Sequence, residues 1–292
     1  MLANPNRLMI FTDLDGCLLN KHDYDWQPAK SSLLELRKRQ IPVVLNSSKT
    51  VPEMIALSGE LGLQGNTLIS ENGSVICWGN DVTSTPSSPS TLQSTSQTDH
   101  PTDETEVIGA SRTDILSLLD GMKRSFRFRS FADMGVSGVA LETQLSAEKA
   151  ALALKRRGTE PLLWDDSDEH RVEFERQLVA HNLTLTKGGR FWHVAGRTSK
   201  GIAMQRVIAK FSKENERLIT AAIGDSPIDQ SMLDAADVPI GIPTANGLGV
   251  NIDGQRGIVA TEQGAAGWAQ AITELLSRID GSVDPDLNSW SV

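Results

Sequence analysis

The chain is short of cysteine, of positive charge and of long apolar runs. Two cysteines, Cys17 and Cys77, occur among 292 residues. That is no disulfide framework, and it fits a reducing compartment. No run approaches the roughly 18 apolar residues of a membrane span, and Met1–Arg7 has no signal-peptide apolar region before the first strand-like run. The expected location is the cytoplasm, with no membrane partner. Lys and Arg number 28 against 37 Asp and Glu, giving a net charge of −9 and a pI of about 5.1. This balance argues against a general affinity for nucleic acid, whose phosphates need a basic surface. An anionic substrate must therefore meet a local basic pocket or a metal ion. Nothing repeats along the chain. What is present is ordinary for a globular protein: 39% hydrophobic and 22% charged residues, at a length suited to one large domain or two smaller ones.

Five short apolar runs punctuate the sequence: Leu8–Phe11, Ile41–Leu45, Thr67–Ser70, Ile219–Ile223 and Val238–Ile242. Such runs predict strands buried on both faces, as in a parallel sheet. Helix-like stretches lie between them, at Ala29–Arg39, Val51–Leu61, Ser199–Phe211 and Ile228–Ala235, with Thr50 as N-cap and Pro52 in the first turn of its helix. The alternation predicts an α/β, doubly wound parallel sheet, whose sites lie at the carboxyl ends of its strands. Those ends carry Asp13, Asp15, Ser47, Glu71, Asn72 and Asp225.

From Val82 to Thr105 the composition shifts. Thirteen of these 24 residues are Ser or Thr and three are Pro, which reads as a flexible insertion unable to bury enough apolar surface to order itself. Residues 106–195 then show helix-like Arg112–Lys123, Ser146–Arg157 and Asp168–His181 among strand-like Phe126–Phe128, Leu162–Trp164, Leu183–Thr186 and Arg190–Ala195. This pattern predicts an inserted α+β domain, with residues 1–81 and 196–280 forming the core and residues 281–292 a frayed tail.

Asp13 and Asp15 flank Leu14 at the end of a buried strand, where two carboxylates repel unless a cation or proton compensates. A hard divalent ion such as Mg²⁺ suits them. A calcium loop does not, because Gly16 follows too soon after the first possible ligand. A second acidic loop, Gly224-Asp225-Ser226-Pro227-Ile228-Asp229, comes about 210 residues later; Ser47 adds a hydroxyl and Lys200 a cation at a helix start. A first-turn lysine is slightly unfavourable against the helix dipole, which favours a partner anion for it. Carboxylate, hydroxyl, lysine and metal-binding acid together are what phosphoryl transfer through an aspartyl phosphate needs.

Phe11-Thr12-Asp13-Leu14-Asp15-Gly16, Leu45-Asn46-Ser47, Lys200 and Gly224–Asp229 resemble, in order, the four motifs of the haloacid dehalogenase (HAD) superfamily of phosphatases. The insertion between the second and third motifs looks like a type-C2 cap on a Rossmann-like core. Within that group the chain is similar to the mannosyl-3-phosphoglycerate phosphatase family, through Asn46–Thr50, Ile69–Gly73, Phe131–Met134, Thr159–Trp164 and Gly188–His193. Two positions depart from the family pattern: Ser47 replaces a common Thr, and Gly158 a frequent Glu.

The resemblance implies that Asp13 is the nucleophile and Asp15 the acid/base. It implies that Ser47 and nearby amides bind phosphoryl oxygens and that Lys200 offsets charge. Asp13, the Asp15 carbonyl and Asp225 would hold Mg²⁺, with Asp229 as support or added ligand. The implied substrate is a small phosphorylated sugar-glycerate, a mannosyl- or glucosyl-3-phosphoglycerate, and the implied product a compatible solute. Another sugar phosphate, a mutase reaction or a non-catalytic binding protein remain alternatives, and the chain is expected to be a monomer or homodimer. Ser48, Lys49 and Asn72 are further substrate-side candidates. Arg157 and the Lys187-Gly188-Gly189-Arg190 turn could supply the basic pocket, the turn by bringing backbone amides close to an anion. His193 is expected to be packed or hydrogen-bonded, Cys17 to be a small buried residue, and Trp164 and Trp192 to sit in the core of the inserted domain.

Overall fold

The computed structural model describes residues 6–79, 104–212 and 217–281. The expected flexible insertion lies outside these residues except for Glu104 and Thr105, as does the expected tail except for Gly281. The strands are β1 (Asn6–Thr12), β2 (Val43–Asn46), β3 (Leu68–Ser70), β4 (Val75–Cys77), β5 (Thr105–Val107), β6 (Phe128–Ser130), β7 (Thr159–Trp164), β8 (Leu183–Gly188), β9 (Phe191–Gly196), β10 (Arg217–Gly224), β11 (Val238–Gly241) and β12 (Ile258–Val259). The α-helices are α1 (Lys30–Lys38), α2 (Val51–Glu60), α3 (Arg112–Met122), α4 (Phe131–Thr143), α5 (Ala147–Ala153), α6 (Asp168–Ala180), α7 (Lys200–Phe211), α8 (Gln230–Ala235) and α9 (Gly264–Gly281). The α/β reading holds. Two compact units result: one contains the described residues up to Val43 and from Lys210 onward, the other Val44–Ala209.

In the first unit, strands run parallel in the order β12-β11-β10-β1. Met9, Ile10, Phe11, Ala221, Ala222 and Ile223 are fully buried, which is why these runs carry no polar alternation. Helix α9, which the apolar runs had not singled out, packs beside α1; Arg39 links the two by an ion pair to Asp280 at 2.8 Å. Its Trp268 is wholly buried and donates from Nε1 to Thr12 Oγ1 at 3.0 Å.

In the second unit β2 and β3 are parallel, but β4 and β5 continue antiparallel. The physical reason is the four-residue connection between Ser70 and Val75, too short for a parallel crossover. Thr105 and the two residues after it, read as linker and inserted domain, form β5 beside β4. Helix α2 starts as expected: Thr50 and Glu53 form a capping box, with Pro52 in the first turn.

The inserted segment builds an antiparallel sheet in the order β6-β7-β9-β8. Strand β6 begins two residues later than the Phe126–Phe128 run. Helix α5 is shorter than expected, and α4 was not anticipated. Gly135 (φ +60°, ψ −173°) interrupts its helical pattern, while a Ser130–Asp133 capping box starts it. Phe126, Phe128, Leu162, Phe174, Leu178 and Val194 form the core on one face of this sheet, with Trp164 and Trp192 packed against it.

His193 on β9 pairs in register with Pro161 and Thr186. Its Nδ1 is buried without a hydrogen-bond partner among the described residues. Burial, aided by the charge of Arg156, lowers its pKa from 6.5 to about 3. Below pH 6.5 the unfolded chain takes up a proton that the folded chain refuses. This group therefore erodes stability as pH falls from about 6.5 toward 3, by at most about 1.4 kcal/mol per pH unit, and contributes nothing above that window. Urea denaturation at pH 7.5 and pH 5 should show a smaller stability difference in His193→Leu than in the wild type; an equal difference would contradict this assignment.

Candidate active site

Strands β1 and β10 pair with Thr12 beside Ile223, so the chain leaves both strands at the same sheet edge. Asp13 follows directly and donates its N–H to Ile223 O at 2.9 Å. Asp225 follows Gly224. Both side chains are buried, and ligand atoms of Asp13, Cys17 and Asp225 lie within 4.8 Å of one another. The loop after Asp13 turns back through Gly16, with Leu19 N–H and Cys17 N–H both donating to Leu14 O. Gly16 has φ +95°, and a Cβ there would stand 2.5 Å from Asp225 Oδ2. The Asp-x-Asp-Gly turn thus needs glycine for its backbone and for the neighbouring carboxylate. Asp15 is half-buried at the rim of this loop.

Asp229 is buried and bonded within its own loop. Its Oδ2 accepts from Asp225 N–H (3.2 Å), Ser226 N–H (3.0 Å) and Ser226 Oγ (2.8 Å), fixing the segment that carries Asp225. Lys21, largely exposed, places Nζ 3.6 Å from Asp225 Oδ2. Thr12 Oγ1 donates to Asp13 O at 2.8 Å and is itself held by Trp268. Sequence reasoning missed Lys21 and the Trp268–Thr12 support. Lys21 stands outside the four motifs, and Trp268 is about 250 residues from its partner.

Two buried carboxylates this close repel unless a cation or a proton compensates. Two oxygen-bearing acids suit a hard divalent ion such as Mg²⁺, while a soft sulfur contributes little to one. The donor set fits such an ion, with Cys17 serving chiefly as the small buried residue expected of it.

In the second unit, the Ser47–Lys49 loop ends β2 and the Glu71–Gly73 turn ends β3. Ser47 is buried. Its carbonyl accepts from Asn72 N–H at 2.9 Å, and Lys49 O accepts from Glu71 N–H at 3.0 Å and Ser70 Oγ at 2.9 Å. The turn also abuts the start of α7. Thr198 Oγ1 donates to Gly73 O at 2.7 Å, and a Cβ at Gly73 would lie 2.2 Å from Ser199 O. Asn46 Nδ2 donates to Lys200 O at 3.2 Å. The structure thus brings Ser47, Ser48, Lys49, Asn72 and buried Lys200 into one cluster. Asn72 Oδ1 is buried without a hydrogen-bond partner among the described residues.

The cap candidates stand differently. Arg190 pairs with Glu142, donating to both its carbonyl and its carboxylate. Lys187 Nζ lies 4.8 Å from the centre of the Trp192 ring and donates to Arg190 O at 3.4 Å. Gly188 packs so tightly that a Cβ would stand 2.9 Å from His193 Nε2, and Gly189 takes φ +45° in the turn. Gly158, the departure noted in the sequence, has the same cause: a Cβ there would meet Ser74 Cβ at 2.8 Å.

Residues 10–247 match the haloacid dehalogenase-like hydrolase family, and the chain belongs to it. Solved structures agree on the fold. A protein from Thermoplasma acidophilum has a TM-score of 0.61 at 17% identity, covering 94% of this chain and 98% of its own. A protein from Streptococcus mutans has a TM-score of 0.60 at 18% identity, with 92% and 98% covered. A member from Bacteroides thetaiotaomicron, described among phosphatases of the superfamily, has a TM-score of 0.60 at 14% identity, with 96% and 97% covered. No described helix is long and apolar enough to cross a membrane.

Gly16→Ala should lower stability by about 2 kcal/mol or more in chemical denaturation, since it combines a left-handed backbone with a collision against Asp225. Gly59→Ala, in helix α2 with open space around its Cβ, should instead stabilise by up to about 1 kcal/mol. Equal effects of the two substitutions would contradict the packing described for the Asp13 loop.

Proposed function

We propose that the chain is a Mg²⁺-dependent phosphatase working through an aspartyl phosphate, and that its substrate is a glycosyl-3-phosphoglycerate, mannosyl or glucosyl. The observation that carries the chemistry is the pair of buried carboxylates, Asp13 and Asp225, at the ends of β1 and β10. Asp13, Asp225 and the Asp15 carbonyl would hold the ion, which when bound offsets negative charge on the phosphoryl group. A carboxylate oxygen of Asp13 attacks phosphorus as the ester P–O bond breaks, and Asp15 gives its proton to the departing alkoxide. Asp15 then takes a proton from water, whose oxygen attacks phosphorus and releases phosphate and free Asp13. The half-buried position of Asp15 suits a group that must exchange protons with solvent. Ser47 and the loop amides would bind phosphoryl oxygens, Lys200 would offset charge, and Asp229 would hold the Asp225 loop.

The substrate assignment rests on the resemblance of Asn46–Thr50, Ile69–Gly73, Thr159–Trp164 and Gly188–His193 to the mannosyl-3-phosphoglycerate phosphatases. Its carboxylate would be received by Lys187 and Arg190, the latter exchanging Glu142 for the substrate.

The test is phosphate release from sugar phosphates and glycosyl-3-phosphoglycerates, with and without Mg²⁺. Turnover should vanish with EDTA and be fastest on a glycosyl-3-phosphoglycerate. Asp13→Asn should lose several powers of ten and Asp15→Asn about 10²–10⁴-fold. Full turnover in metal-free buffer, or by Asp13→Asn, would overturn the mechanism. Arg190→Ala should cost about 10–150-fold in kcat/KM on the glycosyl substrate and far less on an aryl phosphate. Equal losses on both would make Arg190 purely structural.

A further inference from the structure

Arg156 lies just before β7, in none of the four motifs. Its side chain is almost fully buried. Both terminal nitrogens donate to a single acceptor, Ser48 O, at 3.3 and 3.0 Å, and one of them also donates to Thr159 Oγ1 at 2.9 Å. Thr159 Oγ1 passes its own hydrogen to Glu71 Oε2 at 2.6 Å, and the guanidinium stands 3.8 Å from that carboxylate. Glu71 is completely buried in its side chain and takes two further donors, Arg157 N–H at 2.8 Å and Gly158 N–H at 3.2 Å. Its own backbone is strained: Glu71, Asn72 and Gly73 have φ of 54°, 56° and 95° in succession. A left-handed glutamate costs about 1–2 kcal/mol and persists only where its surroundings hold it.

The consequence falls on the Ser47 loop. Three successive carbonyls are each taken by a donor of the same cluster: Ser47 O by Asn72 N–H, Ser48 O by Arg156, and Lys49 O by Glu71 N–H and Ser70 Oγ. In a trans peptide the N–H points opposite its carbonyl, so fixing these oxygens inward turns the Ser48 and Lys49 amides the other way. The Lys49 N–H reaches Ser47 Oγ, at 3.4 Å, on that side. A hydroxyl and backbone amides are the kinds of donor that an oxyanion takes.

We propose that Arg156 and Glu71 are positioning residues that aim the Ser47–Lys49 loop at a phosphoryl group without touching it. The proposal rests on the phosphate-binding role given to Ser47 above. A displacement of such a loop by about 1 Å costs on the order of 10²-fold in rate.

The experiment compares Arg156→Gln, Arg156→Lys and Glu71→Gln with the wild type in three readings: KM and kcat for the best phosphate ester, calorimetric binding of inorganic phosphate, and amide exchange at Glu71 and Asn72. Arg156→Gln should raise KM and weaken phosphate binding by about 10–100-fold, and speed exchange at both amides at least tenfold. Arg156→Lys, which keeps one donor for Ser48 O, should recover part of each loss. Arg156→Gln with a lowered Tm but phosphate binding, KM and amide exchange within twofold of wild type would show mere packing and overturn the proposal. Should Arg156→Gln fail to fold, Glu71→Gln decides by the same readings. A wild type that hydrolyses no ester defeats the phosphatase reading alone, because phosphate binding and amide exchange still report on the clamp.

Discussion

Two carboxylates held side by side away from water are the constraint around which this molecule is arranged. Asp13 and Asp225 would repel each other on a bare sheet edge, yet β1 and β10 deliver them there in register. The surroundings are correspondingly specific. Gly16 leaves room where any side chain would strike Asp225. Asp229 fastens the amides beside it, and Trp268 and Thr12 fasten the Asp13 carbonyl. None of these supports removes the repulsion. They hold the carboxylates in place, and a cation or a proton offsets what repulsion is left.

The second unit carries groups of another kind. Where the first concentrates negative charge, the Ser47 loop offers a hydroxyl and backbone amides, with Lys200 at the start of α7 fixed to the same cluster through Asn46 and the Glu71–Gly73 turn. The resources are different in kind: acids on strand ends in one unit, dipoles and a cation on turns in the other. In a chain of net charge −9 such a gathering of amides and a buried lysine is a local exception to the acidic balance.

Much of this was legible in the sequence because the strands here are buried on both faces and stop abruptly. Uninterrupted apolar runs ending in Asp13-Leu14-Asp15, Asn46-Ser47 or Gly224-Asp225 announce both an element and the polar residues that follow it. What escaped notice lacked that signature. Helix α4 is interrupted at Gly135, which blurs its periodicity. Strands β4 and β5 follow a turn made of left-handed residues, and nothing in Glu-Asn-Gly says that a glutamate will adopt that conformation. Arg156 reads as one of three consecutive basic residues, Lys155, Arg156 and Arg157, and only tertiary structure separates the buried one from its exposed neighbours. Arg190 was visible as a cation, but its partner Glu142 lies 48 residues earlier in a helix that was not foreseen.

The Glu71 carboxylate finds its donors 86 to 88 residues further along the chain. The turn it anchors is local, but what relieves its strain is not. During synthesis the Ser47 segment therefore emerges long before the residues that fix its shape, and the entropy of closing so long a loop must be met first. The same holds for any shortened version of the protein. A fragment trimmed to the apparent catalytic fold by excising the inserted sheet would keep all four motifs and lose Arg156, Arg157, Gly158 and Thr159 together. The inserted segment is thus part of the chassis of the Ser47 loop and cannot be treated as a detachable accessory.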